Sequence, residues 1–218
     1  MLSDLSDEEL EILSKVATVR KYEKNETIIH KSDEGDSFFS LISGRVKVVL
    51  TDDEGKEFIV EILQDNDFFG ELSLLDGEPR SATIVALEPT ETVSLRRKEF
   101  IDQLLKHPKI SIKVLAIMAK RLRKSNDQIG SLAFLDVCGR LARVLLDMAR
   151  GQNDEQTDGI RINVSHNRTE LANLVGTTRE TLTRALKTLE SMGYLKISRN
   201  QKNVFIVTNV EGLKSRIC

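Results

Sequence analysis

A helical pattern of apolar residues runs from about Ile110 to Asp136, and it is the strongest single constraint on the fold. It covers about seven turns at 3.6 residues each, which is longer than an ordinary packed helix. The apolar residues follow the alternating three- and four-residue steps of a two-stranded coiled coil: Leu115, Met118, Leu122, Ile129 and Leu132. We therefore predict a parallel homodimer across residues 110–136. The alternative is that the helix packs on its own N-terminal domain.

The apolar stripe is interrupted in its middle. The step after Leu122 falls on Ser125, and Asn126 follows it. A polar residue within a coiled-coil seam can set the register of the two helices, at some cost in stability. A polar ligand that meets the helix at this point is a second explanation, and it depends on the segment at residues 68–86 described below.

Short β-rich segments precede the long helix. Between about Thr27 and Arg97 they are separated by Gly- and Asp-rich turns such as SDEGD and LDGEP, which predicts an antiparallel barrel or jelly roll. A capping box formed by Ser6 and Glu9 predicts a short helix ahead of the first strand.

A different arrangement follows the long helix. From Val137 onward the pattern predicts a helix, a polar loop, a strand, two short helices and the hairpin YLKISRNQKNVFIVT. Two helices followed by a hairpin describe a winged helix-turn-helix domain. The predicted fold class is α+β, with a β-barrel at 1–108, a dimerisation helix at 109–136 and the winged domain at 137–218.

The charge is unevenly distributed along the chain. The net charge is −2, but residues 1–137 carry −7 (19 Lys and Arg against 26 Asp and Glu) and residues 138–218 carry +5 (13 against 8). A basic C-terminal part on an acidic body suggests that this part meets a polyanion.

Cys138 and Cys218 show no metal-binding or disulfide spacing. Without an apolar run long enough to span a bilayer, we expect no membrane association and a cytoplasmic protein.

The segment FFGELSLLDGEPRSATIVA at residues 68–86 departs from the strand pattern around it. Gly70 permits a tight turn, Glu71 and Leu72 can begin a short helix, and Arg80 and Ser81 arrive as the next strand begins. Arg80 could make a forked contact with phosphate oxygens and Ser81 could add a hydroxyl, whereas Glu71 suits a ribose hydroxyl. The alternative is an internal salt bridge between Arg80 and Glu71.

This segment resembles, nearly residue for residue, the phosphate-binding cassette of cyclic-nucleotide-binding domains, which reads approximately F-G-E-L-x-L-x-x-x-x-P-R-x-A-T. With GSLAFLDVCGRLARVLLDMA and LVGTTRETLTRALKTLE in the expected order, the chain is similar to the CRP/FNR superfamily of bacterial transcription regulators, closest to the cyclic AMP receptor protein branch. The resemblance extends from about Leu10 to Val207. Residues 209–218 lie beyond it and have no interpretation.

The resemblance implies which residues hold the ligand. Cyclic AMP would be the allosteric ligand, with its ribose and cyclic phosphate bound by Gly70, Glu71, Leu72, Arg80 and Ser81. Two polar residues of the long helix would meet the purine, one from each subunit, and these positions are Ser125 and Asn126. The matching pattern has Thr and then Ser, so Asn126 is a departure that puts the identity of the nucleotide in doubt. No metal site is expected, since His30, His107 and His166 have no recognisable partners.

The helix-turn-helix pattern predicts the DNA contacts. A first helix from about Thr169 would end at Gly176, and Thr178 would cap the recognition helix. Arg179 and Arg184 suit guanine, and Glu180 suits cytosine, which with the resemblance predicts an inverted repeat of a TGTGA-like half-site. Further candidate contacts are Thr178, Thr183, Lys187, His166, Asn167 and the wing residues Arg199 and Lys202. An exposed helix with ordinary charge pairs is the alternative.

The predicted function is a homodimeric transcription regulator rather than an enzyme. The ligand would shift an equilibrium between two arrangements about a hinge at Phe134, Leu135, Asp136 and Val137, where Asp136 can cap the next helix. Its partners would be double-stranded DNA and, by the resemblance, RNA polymerase. Three alternatives stay open: gating by cyclic GMP or cyclic di-GMP, activity without ligand, and a nucleotide-binding regulatory subunit whose winged domain binds protein.

Overall fold

The structure is a computed structural model that describes residues 17–150, 155–156, 159–164, 167–198 and 204–217. These residues form two compact units, which divide between Leu122 and Arg123. The division lies inside the long helix, and the bounds predicted at 108 and 136 stay predictions. The predicted first helix, with its Ser6 cap, lies outside the described residues.

The helices and strands follow one another along the chain. Those up to the long helix are β1 (Thr18–Tyr22), β2 (Thr27–Ile29), β3 (Ser37–Ser43), β4 (Val46–Thr51), β5 (Glu57–Leu63), β6 (Phe68–Phe69), α1 (Glu71–Asp76), β7 (Thr83–Ala86), β8 (Thr90–Arg96), α2 (Arg97–Lys106) and α3 (Pro108–Phe134). After it come α4 (Val137–Arg150), β9 (Glu155–Gln156), β10 (Gly159–Asn163), α5 (Arg168–Val175), α6 (Arg179–Ser191), β11 (Leu195–Ile197), β12 (Val204–Val207) and α7 (Val210–Lys214).

The first unit contains two four-stranded antiparallel sheets, with strand orders β1-β8-β3-β6 and β2-β7-β4-β5. This confirms the antiparallel β architecture expected from the sequence. Strand β1 was not predicted, because TVRKY lacks a continuous apolar face and four of its five residues are exposed. Pairing with β8 at the sheet edge, from Thr18 opposite Ser94 to Tyr22 opposite Thr90, holds it in place.

The core of the first unit includes one face of the long helix. Ile110 and Val114 of α3 are buried with a cluster of aromatic and aliphatic side chains of the β domain: Phe38, Phe68, Leu74, Leu95 and Phe100. The rings of Phe38 and Phe100 stack with their centroids 4.6 Å apart. This half of the helix therefore packs on its own domain, as the alternative interpretation expected.

The opposite face of α3 carries an exposed apolar stripe, and it differs from the predicted seam. Met118 packs against the β-domain core instead of facing outward, so its assignment to the seam was wrong. The exposed residues follow the steps Ile112, Leu115, Ala119, Leu122, Asn126, Ile129 and Ala133, and Leu132 is exposed beside them. Asn126 thus lies in the stripe, whereas Ser125 is half-buried and lies off it.

The second unit has its own core, formed between α4, α5, α6 and a sheet with strand order β11-β12-β10-β9. Leu141, Leu145, Ile162, Leu182 and Phe205 are fully buried in it. The predicted winged arrangement is confirmed by the antiparallel pair of β11 and β12, which places Leu195 opposite Val207.

The break between α3 and α4 spans Leu135 and Asp136. The carboxylate of Asp136 accepts a hydrogen bond from the Gly139 amide (2.7 Å), so the predicted cap of α4 is present. Phe134, the last residue of α3, is 87% exposed. The helix therefore ends, and the next one begins, at the residues expected for a hinge.

Candidate functional site

Gly70 makes the turn from β6 into α1. Its φ of 82° is in the left-handed region, which favours glycine. A Cβ at this position would lie 2.9 Å from the Ser37 carbonyl oxygen and 2.8 Å from Arg80 Nη1. Both backbone conformation and space therefore require glycine at the point where the cassette turns.

Arg80 lies beneath this turn and is only 7% exposed. Its Nη1 donates to the Gly70 carbonyl (2.8 Å) and its Nη2 donates to the Ser37 carbonyl (2.7 Å). Burial lowers the pKa of the guanidinium, and the negative charges of Asp36, Glu71 and Asp33 oppose that shift. Arg80 is thus a fixed cation held by backbone carbonyls rather than a mobile surface arm.

Glu71 is paired with Arg121 of α3, so the predicted alternative of a salt bridge to Arg80 was wrong. The Glu71 carboxylate is 4% exposed and its Oε1 lies 3.0 Å from Arg121 Nη1. Burial raises the pKa of Glu71, and the charge and hydrogen bond of Arg121 oppose this. The buried acid therefore forms its ion pair with a cation of the long helix.

Arg121 makes further contacts with the β domain. Its Nη2 donates to the Phe68 carbonyl (2.5 Å), its Nε lies 3.6 Å from Glu61 Oε2, and the guanidinium sits 4.7 Å from the centre of the Phe68 ring. Sequence reasoning missed this residue. No signal in the sequence could have found it, because its place on the inward face of α3, three residues after Met118, is apparent only once the helix is packed on the β domain.

The other predicted ligand residues have different environments. Leu72 is 41% exposed and Ser81 is exposed, so both are accessible beside the cassette turn. Ser125 and Asn126 belong to the second unit. The first unit itself therefore brings together Gly70, Glu71 and Arg80.

A cavity of about 640 Å³ in the first unit is lined by Arg80 and by Thr18 and Arg20 of β1. Its wall carries Arg20, Arg80 and Arg96 together with the acids Asp33 and Asp36. Of the predicted ligand residues in the first unit, Arg80 lines this cavity, whereas Gly70, Glu71, Leu72 and Ser81 do not.

The helix-turn-helix begins with a capping box at Asn167. The side chain of Asn167 accepts from the amides of Thr169 and Glu170, and the Glu170 carboxylate accepts from the Asn167 amide (2.9 Å). The α5 helix ends at Gly176, whose φ of 70° confirms the predicted left-handed cap. Asn167 is therefore engaged in fixing the start of α5.

The recognition helix α6 begins at the predicted cap, where Thr178 Oγ1 accepts from the Thr181 amide (3.3 Å). Its inward face is buried through Leu182, Ala185, Leu186 and Leu189. Its outward face exposes five of the predicted DNA-contacting residues: Arg179, Glu180, Thr183, Arg184 and Lys187. The Thr183 hydroxyl donates to the Arg179 carbonyl (2.8 Å), and Arg184 Nη2 donates to Thr181 Oγ1 (3.2 Å).

Arg168 adds a cation that sequence reasoning missed. Its guanidinium lies 5.0 Å from the centre of the Phe205 ring, and burial and then the positive charge of Arg179 lower its pKa. The first turn of α5 and the start of α6 therefore form one positive region. His166, Arg199 and Lys202, which were predicted to contact phosphates, lie outside the described residues.

Arg140 of α4 connects the interhelical break to the helix-turn-helix. Its Nε donates to the Val175 carbonyl (2.9 Å), its Nη1 to the Leu135 carbonyl (3.0 Å) and its Nη2 to the Gly176 carbonyl (3.3 Å). One side chain thus joins the end of α5 to the segment between α3 and α4. The sequence alone could not show this role, because the carbonyls that Arg140 bonds come from two separate parts of the chain, Leu135 and Val175–Gly176.

Two family models match the chain. Residues 19–107 match the cyclic nucleotide-binding domain, and residues 139–216 match the Crp-like helix-turn-helix domain. The cAMP-activated global transcriptional regulator CRP of Escherichia coli is 37% identical over 191 residues, which cover 86% of this chain and 89% of that protein.

Solved structures share the fold. A CooA mutant from Carboxydothermus hydrogenoformans has a TM-score of 0.83 and 26% identity, covering 95% of this chain and 90% of that one. The c-di-GMP responsive regulator CLP of Xanthomonas campestris has a TM-score of 0.80 at 23% identity, covering 93% of this chain and 99% of that one.

Within the described residues, no helix is long and apolar enough to cross a membrane, and no acidic, His or Cys cluster could hold a metal ion.

The buried carboxylate of Glu71 predicts a pH dependence of stability. The pKa of Glu71 is raised in the folded protein above its ordinary value of 4.5. As pH rises, the carboxyl group therefore loses its proton in the unfolded chain before it does so in the folded protein. The unfolded state then binds fewer protons, so this group lowers the free energy of unfolding as pH rises through the folded pKa. Glu71→Gln should abolish that contribution, as measured by urea unfolding across a pH series. Glu78→Gln, at an exposed position of the same segment, should leave the profile unchanged; identical profiles for the wild type and Glu71→Gln would contradict the assignment.

Proposed function

The chain belongs to the CRP family of cyclic-nucleotide-responsive transcription regulators, and from that premise we propose that it is a homodimer whose DNA affinity is raised by cyclic AMP. The observation that carries the proposal is the buried pair of Glu71 and Arg121 beside the Gly70 turn. It joins the cassette to the helix that would form the dimer. A ligand bound at the cassette can therefore act on that helix directly.

The ligand would bind with its phosphate at the cassette turn. Arg80 is a fixed cation there, and the accessible Ser81 can add a hydroxyl or an amide hydrogen bond. Glu71 would accept from a ribose hydroxyl, since an ionised carboxylate is an acceptor only. Its pair with Arg121 supports this role, because the cation opposes the raised pKa and favours the ionised form.

The base would meet the long helix at Ser125 and Asn126. Ser125 lies one helical turn after Arg121 and so shares its side of α3. Asn126 instead lies in the exposed stripe, where a partner subunit would contact it. An amide can donate as well as accept, which suits a purine edge and also a wider range of bases than a hydroxyl does.

Asn126 is the specific observation that favours a second candidate, gating by cyclic GMP or cyclic di-GMP. The CLP regulator, which is c-di-GMP responsive, shares the fold at 23% identity. A further alternative is that the same dimer binds DNA without any ligand. A regulatory subunit whose winged domain binds protein is less well supported, because α6 exposes two arginines and a lysine on one face.

The DNA would be read by α6 in the major groove. Arg179 and Arg184 are exposed and suit guanine, and Glu180 between them suits cytosine. Two copies in a dimer would read an inverted repeat of a TGTGA-like half-site. Contact with RNA polymerase and a cytoplasmic location go with this function, and no catalytic activity is proposed.

The central test measures DNA affinity with and without nucleotide. Fluorescence anisotropy with a TGTGA palindrome should show cyclic AMP raising the affinity by about 5- to 150-fold, the usual range of allosteric coupling. Cyclic GMP and cyclic di-GMP, run in parallel, should have smaller effects. Equal affinity in all conditions would refute nucleotide gating.

A Ser125→Ala variant that keeps both nucleotide affinity and gating would favour the register explanation for the polar step in the helix.

The exposed stripe of α3 predicts the dimer interface. Leu122→Glu places a charge in its centre and should shift the protein to monomer in sedimentation velocity, since a desolvated unpaired charge is costly. Leu105→Glu is the matched control, because Leu105 is 75% exposed but belongs to α2. A dimer that survives Leu122→Glu would place the interface elsewhere.

The recognition helix predicts two kinds of DNA variant. Arg184→Ala should cost about 1–3 kcal/mol on the preferred site and relax the preference at one base position. Lys187→Ala should weaken binding about equally for all sequences, as expected of a phosphate contact. Competition binding against single-base variants of the palindrome separates the two patterns. Uniform weakening by Arg184→Ala would remove it from the base-reading set.

A further inference from the structure

The C-terminal segment after β12, which the sequence left without an interpretation, is built into the second unit. Asn209 caps α7 by accepting from the Gly212 amide (2.7 Å). Leu213 is fully buried at 0% exposure, and Val210 and Ile217 pack against the same core. The segment is therefore anchored in the core of the second unit, and this packing fixes the position of its last described residues.

The last described residues of this segment lie against the start of α4. A Cβ at Gly139 would lie 2.6 Å from the backbone oxygen of Arg216, so the C-terminal backbone approaches as closely as a glycine allows. Gly139 is also the residue whose amide is held by the Asp136 cap. The C-terminal segment thus lies directly against the first turn after the interhelical break.

The side chain of Arg216 reaches the same cap. Its Nη2 lies 2.7 Å from Asp136 Oδ2, while Asp136 Oδ1 accepts from the Gly139 amide. Both carboxylate oxygens are therefore in use, one to begin α4 and one to hold the C-terminal segment. The Nε of Arg216 is buried and makes no hydrogen bond within the described part of the chain.

The neighbouring thiol responds to the same two charges. Burial and then the negative charge of Asp136 raise the pKa of Cys138, whereas the positive charge of Arg216 lowers it. Asp136, Cys138, Gly139 and Arg216 therefore form one local cluster, which we call the hinge clasp.

We propose that Arg216 is a positioning residue that acts through Asp136, and that the hinge clasp stabilises the arrangement in which α3 continues to Phe134 and α4 begins at Val137. This inference rests on the proposed function, in that this arrangement is the one that binds DNA. The clasp then sets how much of the ligand-free protein is already competent. It regulates basal activity from a segment that lies outside the predicted ligand and DNA contacts.

The expected effect is modest, because both side chains are partly exposed, at 33% for Arg216 and 62% for Asp136. Pairs of this kind change an equilibrium by about two- to five-fold. Losing the pair should lower the competent fraction of ligand-free protein by that factor. At saturating ligand the competent state is already dominant, so the same loss should have almost no effect there.

The first test is hydrogen exchange on the full-length protein. In Arg216→Gln the amides of residues 136–140 should exchange about two- to five-fold faster than in the wild type. Arg216→Lys should restore the rate, because the observed contact uses a single nitrogen that an ammonium can replace. Lys214→Gln is the matched control: it removes a charge from α7 whose ion pair is with Glu211 of the same helix.

Asp136→Asn separates the cap from the ion pair. Asparagine still accepts from the Gly139 amide but has no charge for Arg216. Adding Arg216→Gln to this variant should therefore produce no further change in exchange, whereas an independent effect would add. An additive result would overturn the proposal that Arg216 acts through Asp136.

DNA affinity supplies the second readout. In Arg216→Gln the affinity without cyclic AMP should fall about two- to five-fold while the saturated affinity stays the same, so the ratio between them rises. Unchanged exchange at the hinge, or equal loss of both affinities, would overturn the proposal. If the wild type does not respond to cyclic AMP, the proposed function fails, and the exchange measurements still decide whether the clasp exists.

Discussion

The pairing of Arg121 with Glu71 is the interaction on which the arrangement of the first unit depends. A buried carboxylate that loses its cation is strongly destabilising, so Glu71 fixes the helix face that carries Arg121. Once that face is turned to the β domain, the exposed apolar residues of the same half of the helix, Ile112, Leu115 and Leu122, face away from it. The same contact therefore orients the cassette and leaves an apolar surface of the kind that dimerises.

A second set of polar contacts organises the other end of the long helix. Asp136 begins α4, and Arg140 joins the carbonyl of Leu135 to those of Val175 and Gly176. The turn of the helix-turn-helix is thus bonded to the break between α3 and α4. A change of conformation at that break would move the recognition helix as part of a connected unit, which is what an allosteric regulator of DNA binding requires.

Much of this could be predicted from the sequence, because local signals were strong. Turn residues marked the β domain, the 3.6-residue period marked α3, and the caps at Asp136 and Thr178 are where the pattern placed them. The long-range partners could not be predicted. Nothing in the sequence tells which cation meets Glu71, and the helical period alone assigned Met118 to the wrong face. That choice depends on the shape of the β-domain core, which only the folded chain defines.

The central claim is that the cassette and the DNA-binding surface are energetically coupled, and linkage offers its most direct test. Calorimetry should measure the affinity of cyclic AMP for the free protein and for the protein saturated with a TGTGA palindrome. Coupling is reciprocal, so DNA should tighten cyclic AMP binding by the same factor by which cyclic AMP tightens DNA binding. An affinity for cyclic AMP that is the same with and without DNA would contradict the account.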